Sequence, residues 1–218
     1  MLKIVIEDFY TLYKNGMELM LENIFHHENA AAIEILDFSE ENISVADVVI
    51  KYFHAGESYI CHSALKRRKP QSLLIGLYDG EGISSAPLPL CLKDTIFLHR
   101  SESITKVKRA IVNGWQDCNT ESKRESEHDC QRCKHRTLSP QQIKVAAHFY
   151  RGEIPALVGD YLDISPKTVG AHKCKIMSKF NLNSDYELLN FLHQWLKQKQ
   201  MKDLFQESQG IRTLSCNA

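Results

Sequence analysis

The stretch from 166 to 180, PKTVGAHKCKIMSKF, has the residue types that a DNA-reading helix needs. At helical spacing its larger apolar side chains share one face, which predicts packing against other helices. The opposite face carries mainly small residues, so the backbone could approach base edges in the major groove while lysines reach the phosphates. The four lysines of the stretch, with no acidic residue, favour this interpretation over a merely solvated surface helix. The packing face consists of Val169, Ile176, Met177 and Phe180, the reading face of Lys167, Gly170, Ala171, Cys174 and Ser178, and the flanks of Lys173, Lys175 and Lys179.

A second group of residues with possible metal or redox chemistry lies in the segment DCNTESKRESEHDCQRCKHR, from 117 to 136. Cys130 and Cys133 form a CxxC pair, and Cys118, His128 and His135 are nearby in sequence. Structural zinc sites usually need four well-spaced ligands, so one such pair is a weak zinc signal. Zinc binding and redox switching stay open as alternatives, but the odd total of seven cysteines favours ordinary reduced thiols. We predict no metal site and no cofactor.

A basic run, Lys66-Arg67-Arg68-Lys69, precedes Pro70. A solvated loop is the simpler interpretation, and contact with DNA or a protein partner is the alternative.

Local signals predict four helices after residue 137. Ser139 caps the first, Pro140 stands at its first position, and Gln142 completes a capping box. Gly152 ends this helix, and the second runs from Pro155 to about Leu162. Asp163-Ile164-Ser165 is predicted to form a tight turn. Ser165 and Pro166 then open a third helix that runs to about Phe180, and Ser184 with Glu187 opens a fourth.

This region resembles the LuxR/FixJ-type helix-turn-helix domain over about 60 residues, and its continuation NSDYELLNFL is similar to the capsule-regulator (Rcs-type) branch. The Leu-Ser-Pro opening, Gly152, Ile164-Ser165, His172 and the Lys179-Phe180-x-Leu182 close carry the resemblance. It implies a helix-turn-helix motif from Ala156 to Lys175 whose third helix enters the major groove. Gly170 and Cys174 stand where many members have larger polar side chains, which implies few base contacts. The positions implied to face DNA are Lys167, Thr168, Gly170, Ala171, Lys173, Cys174 and Lys175.

The fourth helix has a row of apolar residues along one side. Packing within its own domain must account for some of them, and in the resembled family this helix pairs protomers. A dimer would read two half-sites about one helical turn apart. The predicted dimer contact consists of Leu188, Leu192, Trp195 and Leu196.

Before residue 116, short apolar runs alternate with helical patterns, which predicts a parallel five-stranded sheet covered on both faces. The strand candidates are 2–6, 31–36, 47–53, 72–77 and 95–98, the helix candidates are 11–25 and 104–115, and no regular helix is expected in 79–91. The gap of about ten residues between the second and third strands is short for a full helix. The first strand, which ends in Glu7-Asp8, looks like that of a response-regulator receiver domain.

The residues that receiver chemistry requires are missing, however. Such domains hold Mg²⁺ with carboxylates beside a phosphate-accepting Asp, and use a hydroxyl and a lysine. Here Tyr52 or Phe53 stands at the acceptor position, since Asp47 lies at the wrong end of its strand. Leu77 replaces the hydroxyl, and His99-Arg100 replaces the lysine. The resemblance therefore implies a degenerate receiver that is not controlled by Asp phosphorylation.

Charge and composition agree with two soluble domains. Residues 1–115 carry 12 Lys/Arg and 15 Asp/Glu, a net −3, whereas residues 137–218 carry 10 and 7, a net +3. No apolar run approaches the ~20 residues that cross a bilayer, and the first residues do not resemble a signal peptide, so we expect a cytoplasmic protein that contacts no membrane. The predicted domains are a receiver-like domain (1–115), a linker (116–136), a helix-turn-helix domain (137–198) and a flexible tail (199–218).

The sequence thus predicts a non-enzymatic transcription regulator that binds double-stranded DNA. It binds either as a homodimer or as a heterodimer with a phosphorylatable Rcs-type response regulator, and RNA polymerase is a further candidate partner. A true phosphorelay regulator and a protein adaptor that has lost DNA binding are the alternative functions.

Overall fold

The computed structural model describes residues 1–8, 10–29, 32–80, 88–120, 133 and 135–197. The chain divides into two compact units, with the main break between His135 and Arg136. The predicted tail and most of the predicted linker, including Cys130 and His128, lie outside the described residues.

The N-terminal unit is the five-stranded parallel sheet that the sequence predicted, and its strand order is β2-β1-β3-β4-β5. All six residues of the central strand β3 are buried, which explains its nearly continuous apolar sequence. Its elements are β1 (Leu2–Glu7), α1 (Thr11–Asn29), β2 (Ile33–Leu36), α2 (Glu40–Val45), β3 (Val48–Phe53), β4 (Leu73–Tyr78), β5 (Ile96–His99) and α3 (Ile104–Thr120).

The two faces of this sheet are covered differently. On one face α1 and α3 supply large apolar side chains, such as Leu21, Phe25 and Ile111, which pack on strand residues that include Ile50. On the other face α2 has only six residues, in agreement with the short gap between the strands. The 3-10 turns Ala64–Arg67 and Leu90–Leu92 complete the cover there.

The helix α3 is longer than the sequence predicted. It continues to Thr120, so the first five residues of the predicted 116–136 linker are helical. Cys118 is only 7% exposed and belongs to the sheet core, and the Trp115 ring contacts the edge of Phe25 at 5.4 Å between centroids. Trp115 and Cys118, about one helical turn apart, anchor this otherwise polar segment to the core. A domain boundary drawn from the average composition of the segment does not detect two such residues.

The basic run 66–69 is partly a solvated loop, since Arg67 is exposed, but Arg68 and Lys69 bond within their own unit. Arg68 is buried and donates hydrogen bonds to the carbonyl oxygens of Ser72 at 3.1 Å and Lys93 at 2.9 Å. Lys69 Nζ lies 2.6 Å from Asp47 Oδ1. These contacts join the loops at the amino end of the sheet, since Asp47 immediately precedes β3.

The C-terminal unit has the four predicted helices: α4 (Pro140–Tyr150), α5 (Pro155–Leu162), α6 (Pro166–Phe180) and α7 (Asp185–Lys197). The capping box of Ser139 and Gln142 is present in both directions, and Ser165 Oγ accepts the Thr168 N–H at 3.1 Å. Ser184 caps α7, but the Glu187 carboxylate bonds the N–H of Asn183. In parts of the chain that the structure describes, no helix is long and apolar enough to cross a membrane.

Candidate nucleic-acid interface

The turn between α5 and α6 is closely packed around one glycine. Asp163 adopts the left-handed conformation at φ 54°, and the Ile164 N–H donates to the Gly159 carbonyl at 3.0 Å. A Cβ atom at Gly159 would lie 2.7 Å from the Ile164 carbonyl oxygen, a distance that side chains do not tolerate. Glycine at this position therefore allows the tight turn that sets the angle between the two helices.

The helix α6 is held against its neighbours by apolar side chains on one face. Val169 is fully buried with Val145 and Val158, so one small core joins α4, α5 and α6. Nearer its end, Phe180 packs on α7, with ring centroids 4.4 Å from Phe191 and 5.6 Å from Trp195. These contacts fix the orientation of α6 and leave one face of it uncovered.

The uncovered face contains six of the seven positions that the resemblance implied to face DNA. Gly170 is half-buried, and the other five are exposed. No atom lies within 4 Å of a Cβ built at Gly170, so the surface there is open. Ser178 and Lys179 continue the same surface towards the end of the helix. The exposed residues are Lys167, Thr168, Ala171, Cys174, Lys175, Ser178 and Lys179.

Lys173 is the exception, because its side chain turns towards the domain. The side chain is 22% exposed, and its Nζ lies 2.5 Å from Asp185 Oδ2 at the start of α7. The Nζ also lies 5.2 Å from the centre of the Phe149 ring, a cation–π contact. In the helical wheel Lys173 lies closer to Ile176 and Phe180 than to Lys167, so its side chain starts beside the packing face. Its contact with DNA stays a prediction. The lysine thus adds a polar contact between α6 and the first turn of α7, whose buried apolar residues pack on the same unit.

Two other features of α6 modify the sequence interpretation. Thr168 donates its N–H to Ser165 Oγ, so the cap already satisfies one of the first-turn amides, which at a helix N-terminus can otherwise hold a phosphate. His172 is half-buried, and its buried Nδ1 has no hydrogen-bond partner among the residues that the structure describes.

The predicted dimer residues on α7 separate into two pairs. Leu188 and Leu192 are 2% and 0% exposed, so their burial is completed within the protomer. Trp195 and Leu196 keep part of their surface exposed. Tyr186 and Leu189, which the prediction omitted, are 73% and 43% exposed.

In the N-terminal unit, Glu7 at the carboxyl edge of the sheet is paired with a lysine from the same sheet. The parallel register places Glu7 beside Lys51 of β3, and Lys51 Nζ lies 2.5 Å from Glu7 Oε2. Lys51 is only 7% exposed. Sequence reasoning missed this pair, although Lys51 is the one charged residue inside an apolar run.

The Asp8 carboxylate is matched by the Arg100 guanidinium, which directly follows β5. Arg100 lies 3.7 Å from Asp8 and 3.4 Å from Asp79. The Asp8 side chain is 0% exposed, so a nearby cation is needed to offset its burial. Asp79, which follows β4, was not singled out in the sequence and is the third carboxylate at this edge.

Three tyrosines surround this guanidinium. The centre of the guanidinium lies 4.2, 4.3 and 5.4 Å from the ring centroids of Tyr10, Tyr13 and Tyr52. Tyr52 donates a hydrogen bond to Asp79 Oδ2 at 3.2 Å. Burial and then the Asp79 charge raise the pKa of Tyr52, which stays a neutral donor. We call Asp8, Asp79, Arg100 and the three tyrosines the arginine cage.

Two other positions that were compared with a receiver domain, Leu77 and Asp47, lie where the sequence analysis predicted. Leu77 is fully buried beside Tyr52 and Leu98 in the sheet register. Asp47 lies at the opposite edge, where it accepts the Lys3 N–H at 2.9 Å. Among the described residues no group of three or more His, Cys, Asp or Glu side chains could hold a metal ion.

Comparison with known proteins supports both halves of the architecture. Residues 136–192 match the family model for bacterial regulatory proteins of the luxR family, a family of regulators and not of enzymes. A search of curated protein sequences found no match.

Solved structures similar in fold include one of the two-component response regulator RcsB in complex with DNA, at 20% identity and a TM-score of 0.51, with 88% of this chain and 98% of that chain covered. A second, two RcsB dimers bound to two parallel DNAs, has 21% identity, a TM-score of 0.52 and the same coverage. A third is RcsB from Salmonella enterica serovar Typhimurium bound to promoter P1flhDC in the presence of a phosphomimetic, at 18% identity and a TM-score of 0.54, covering 88% and 97%.

Proposed function

We propose that this protein is a transcription regulator that inserts α6 into the major groove of promoter DNA and acts without Asp phosphorylation. The observation that carries the proposal is the uncovered face of α6, which is small and cationic and belongs to a segment that matches the luxR family model. Lysines on that face can neutralise phosphates, a contribution that supplies most sequence-independent affinity for DNA.

The small residues on this face indicate how the DNA is read. Gly170 and Ala171 offer no hydrogen-bonding side chain, and Cys174 offers only a weak one. Close approach of the helix is therefore easy, but few base edges are read directly. Recognition then depends on DNA shape and on a second protomer.

Two modes of assembly fit this surface. The protein binds either as a homodimer or as a heterodimer with a phosphorylatable regulator of the Rcs type. Tyr186, Leu189 and the exposed parts of Trp195 and Leu196 supply apolar surface on α7 for either contact. Sedimentation of the protein with DNA, with and without such a partner, separates the two modes. Either role places the protein in the cytoplasm with the DNA.

Independence from phosphorylation is supported by the paired carboxylates. Glu7 and Asp8 lie close to Lys51 and Arg100, so the carboxylates that a receiver would offer to Mg²⁺ are already paired with cations of the chain itself. Tyr52 stands beside Asp8 by extension of the β1–β3 register, where receiver chemistry needs a carboxylate.

Charge reversal on α6 tests DNA binding. We expect Lys167→Glu and Lys175→Glu each to weaken binding to a mixed-sequence duplex by tenfold or more. Each should also reduce the slope of log affinity against log salt by about 1, because each removes a phosphate contact. Fluorescence anisotropy over a salt series measures both quantities.

Lys144→Glu on α4 is the matched control, since it makes the same charge change at an exposed position of the same unit. Lys173→Gln should leave the salt slope unchanged and lower the melting temperature, because that lysine pairs with Asp185. If the α6 reversals bind as tightly as the wild type, the adaptor function is correct instead.

A further inference from the structure

Two cysteines of the N-terminal unit have their sulfur atoms next to each other. Cys61 Sγ and Cys91 Sγ lie 3.9 Å apart, although the residues are 30 positions apart in sequence. Both belong to the apolar cluster on the α2 face of the sheet. Cys91 is 1% exposed, whereas Cys61 reaches partly into solvent, and both are reduced.

The surroundings of the pair favour a thiolate on Cys91. A hydrogen bond with Cys61 and one from the His62 N–H, at 3.3 Å, lower the pKa of Cys91 although burial opposes the change. The hydrogen bond with Cys91, followed by burial, raises the pKa of Cys61. Of the two cysteines, the inner one, Cys91, is therefore the one that loses its proton more easily.

We propose that Cys61 and Cys91 form a reversible intramolecular disulfide when the protein meets a hydroperoxide. Cys61 reacts first because it is the accessible sulfur. After losing its proton to the Cys91 thiolate or to water, it attacks the peroxide oxygen and breaks the O–O bond. Cys61 becomes a sulfenic acid, and the departing alkoxide, or hydroxide for hydrogen peroxide itself, takes up the proton that Cys61 lost and leaves as alcohol or water. Cys91 is then a thiolate.

Cys91 completes the reaction. Its thiolate attacks the Cys61 sulfur, forms the S–S bond and expels hydroxide, which takes up a proton to become water. In total two thiols are oxidised by two electrons, and the hydroperoxide is reduced to alcohol and water.

Closure of the bond needs only a local movement. The sulfurs must approach by about 2 Å to reach the ~2.05 Å of a disulfide. Cys61 lies outside the helices and strands, and Cys91 lies in the 3-10 turn Leu90–Leu92, so no strand has to shift. A third sulfur is also near, because the Leu90 N–H donates to Cys133 Sγ at 3.3 Å. Cys133 is therefore the competing partner for Cys91.

Peroxide titration of the reduced full-length protein tests the proposal. After treatment with one equivalent of hydrogen peroxide, the remaining thiols are alkylated and the digest is analysed by mass spectrometry. We expect a Cys61–Cys91 linked peptide as the main intramolecular product, and we expect dithiothreitol to remove it. The same product should form in Cys133→Ser and in Cys174→Ser, which removes a thiol exposed on α6.

Two variants extend the test. In Cys91→Ser, Cys61 should stop at the sulfenic acid, which dimedone traps. In Cys61→Ser, a conservative change at a partly exposed position, oxidation should no longer raise the melting temperature, whereas it does in the wild type and in Cys133→Ser. Full alkylation of both Cys61 and Cys91 after peroxide, or a Cys91–Cys133 link as the main product, would overturn the proposal.

Discussion

At the scale of single residues, the acidic side chains at the carboxyl edge of the N-terminal sheet are paired with cations of the chain itself. Glu7 is paired with Lys51, and Asp8 and Asp79 are paired with Arg100. Buried carboxylates are costly unless a cation stands close by. The fold of this unit therefore depends on side-chain cations at an edge where the resembled family is expected to use Mg²⁺.

Removal of the central cation is expected to destabilise this unit strongly. Arg100→Ala would leave Asp8 buried without its partner and empty the space between three tyrosines. We expect a loss of about 3–5 kcal/mol in the free energy of unfolding, measured by urea titration. Arg109→Ala, an exposed arginine on α3, is the control and should change stability by less than about 0.5 kcal/mol. A loss for Arg100→Ala no larger than that of the control would show that the arginine cage is not a structural element.

At the scale of elements, the helix-turn-helix motif contains two glycines in opposite environments. Gly159 lies against the backbone of the turn, where an added Cβ would come within 2.7 Å of the Ile164 oxygen. Gly170 lies on the open face of α6, with nothing within 4 Å of such an atom. At Gly159 a side chain would collide with the turn, so glycine is required there. At Gly170 a side chain would fit, and glycine only leaves the surface of α6 open.

The same substitution at these two positions should therefore have opposite effects. Gly159→Ala is expected to lower the free energy of unfolding of the C-terminal unit by about 1–3 kcal/mol, through displacement of the turn. Gly170→Ala should raise it by about 0.5–1 kcal/mol, because alanine is the better helix former. Thermal unfolding monitored by circular dichroism compares them, and a stable Gly159→Ala variant would contradict the steric account of the turn.

Sequence reasoning was most successful at this scale, because helix caps and strand patterns are local signals. The signals at Ser139, Ser165 and Pro166 identified α4 and α6, and the apolar runs identified the five parallel strands. The cap signal at Ser165 is short-range: the hydroxyl bonds an amide only three residues away. The agreement of several such signals allowed the helices to be placed without knowledge of their packing.

The contacts that were missed are long-range. Lys51 and Glu7 are 44 residues apart, and the arginine cage joins the ends of five separate elements, β1, α1, β3, β4 and β5. The direction of Lys173 depends on α7, whose Asp185 draws the lysine away from the reading face. A pattern of residue types along the chain does not contain these pairings, which only the folded sheet and bundle bring together.

At the scale of the whole molecule, the two units differ in net charge. The N-terminal unit carries net negative charge and the C-terminal region net positive charge. The proposed function assigns to the second unit both DNA contact, through α6, and protomer contact, through the exposed apolar surface of α7. Regulation of the whole molecule then does not require transfer of a phosphoryl group.

Treatment with a small phosphoryl donor tests this directly. With acetyl phosphate and Mg²⁺ we expect no covalent phosphate on the protein, by intact-mass measurement, and no change in affinity for a mixed-sequence duplex. A receiver domain that has its phosphate-accepting Asp, treated in parallel, serves as the positive control. An added phosphoryl group, followed by altered DNA affinity, would favour the phosphorelay function.

The pairing of Glu7 with Lys51 and of Asp8 with Arg100 has a consequence for how a cell could adjust such a regulator. Under the proposed function, a charge balance contained within one polypeptide would leave Asp phosphorylation and the concentration of free magnesium without effect on the regulator. Under the proposed function, the output would then follow the number of copies present and the supply of binding partners, so synthesis and degradation would set the response.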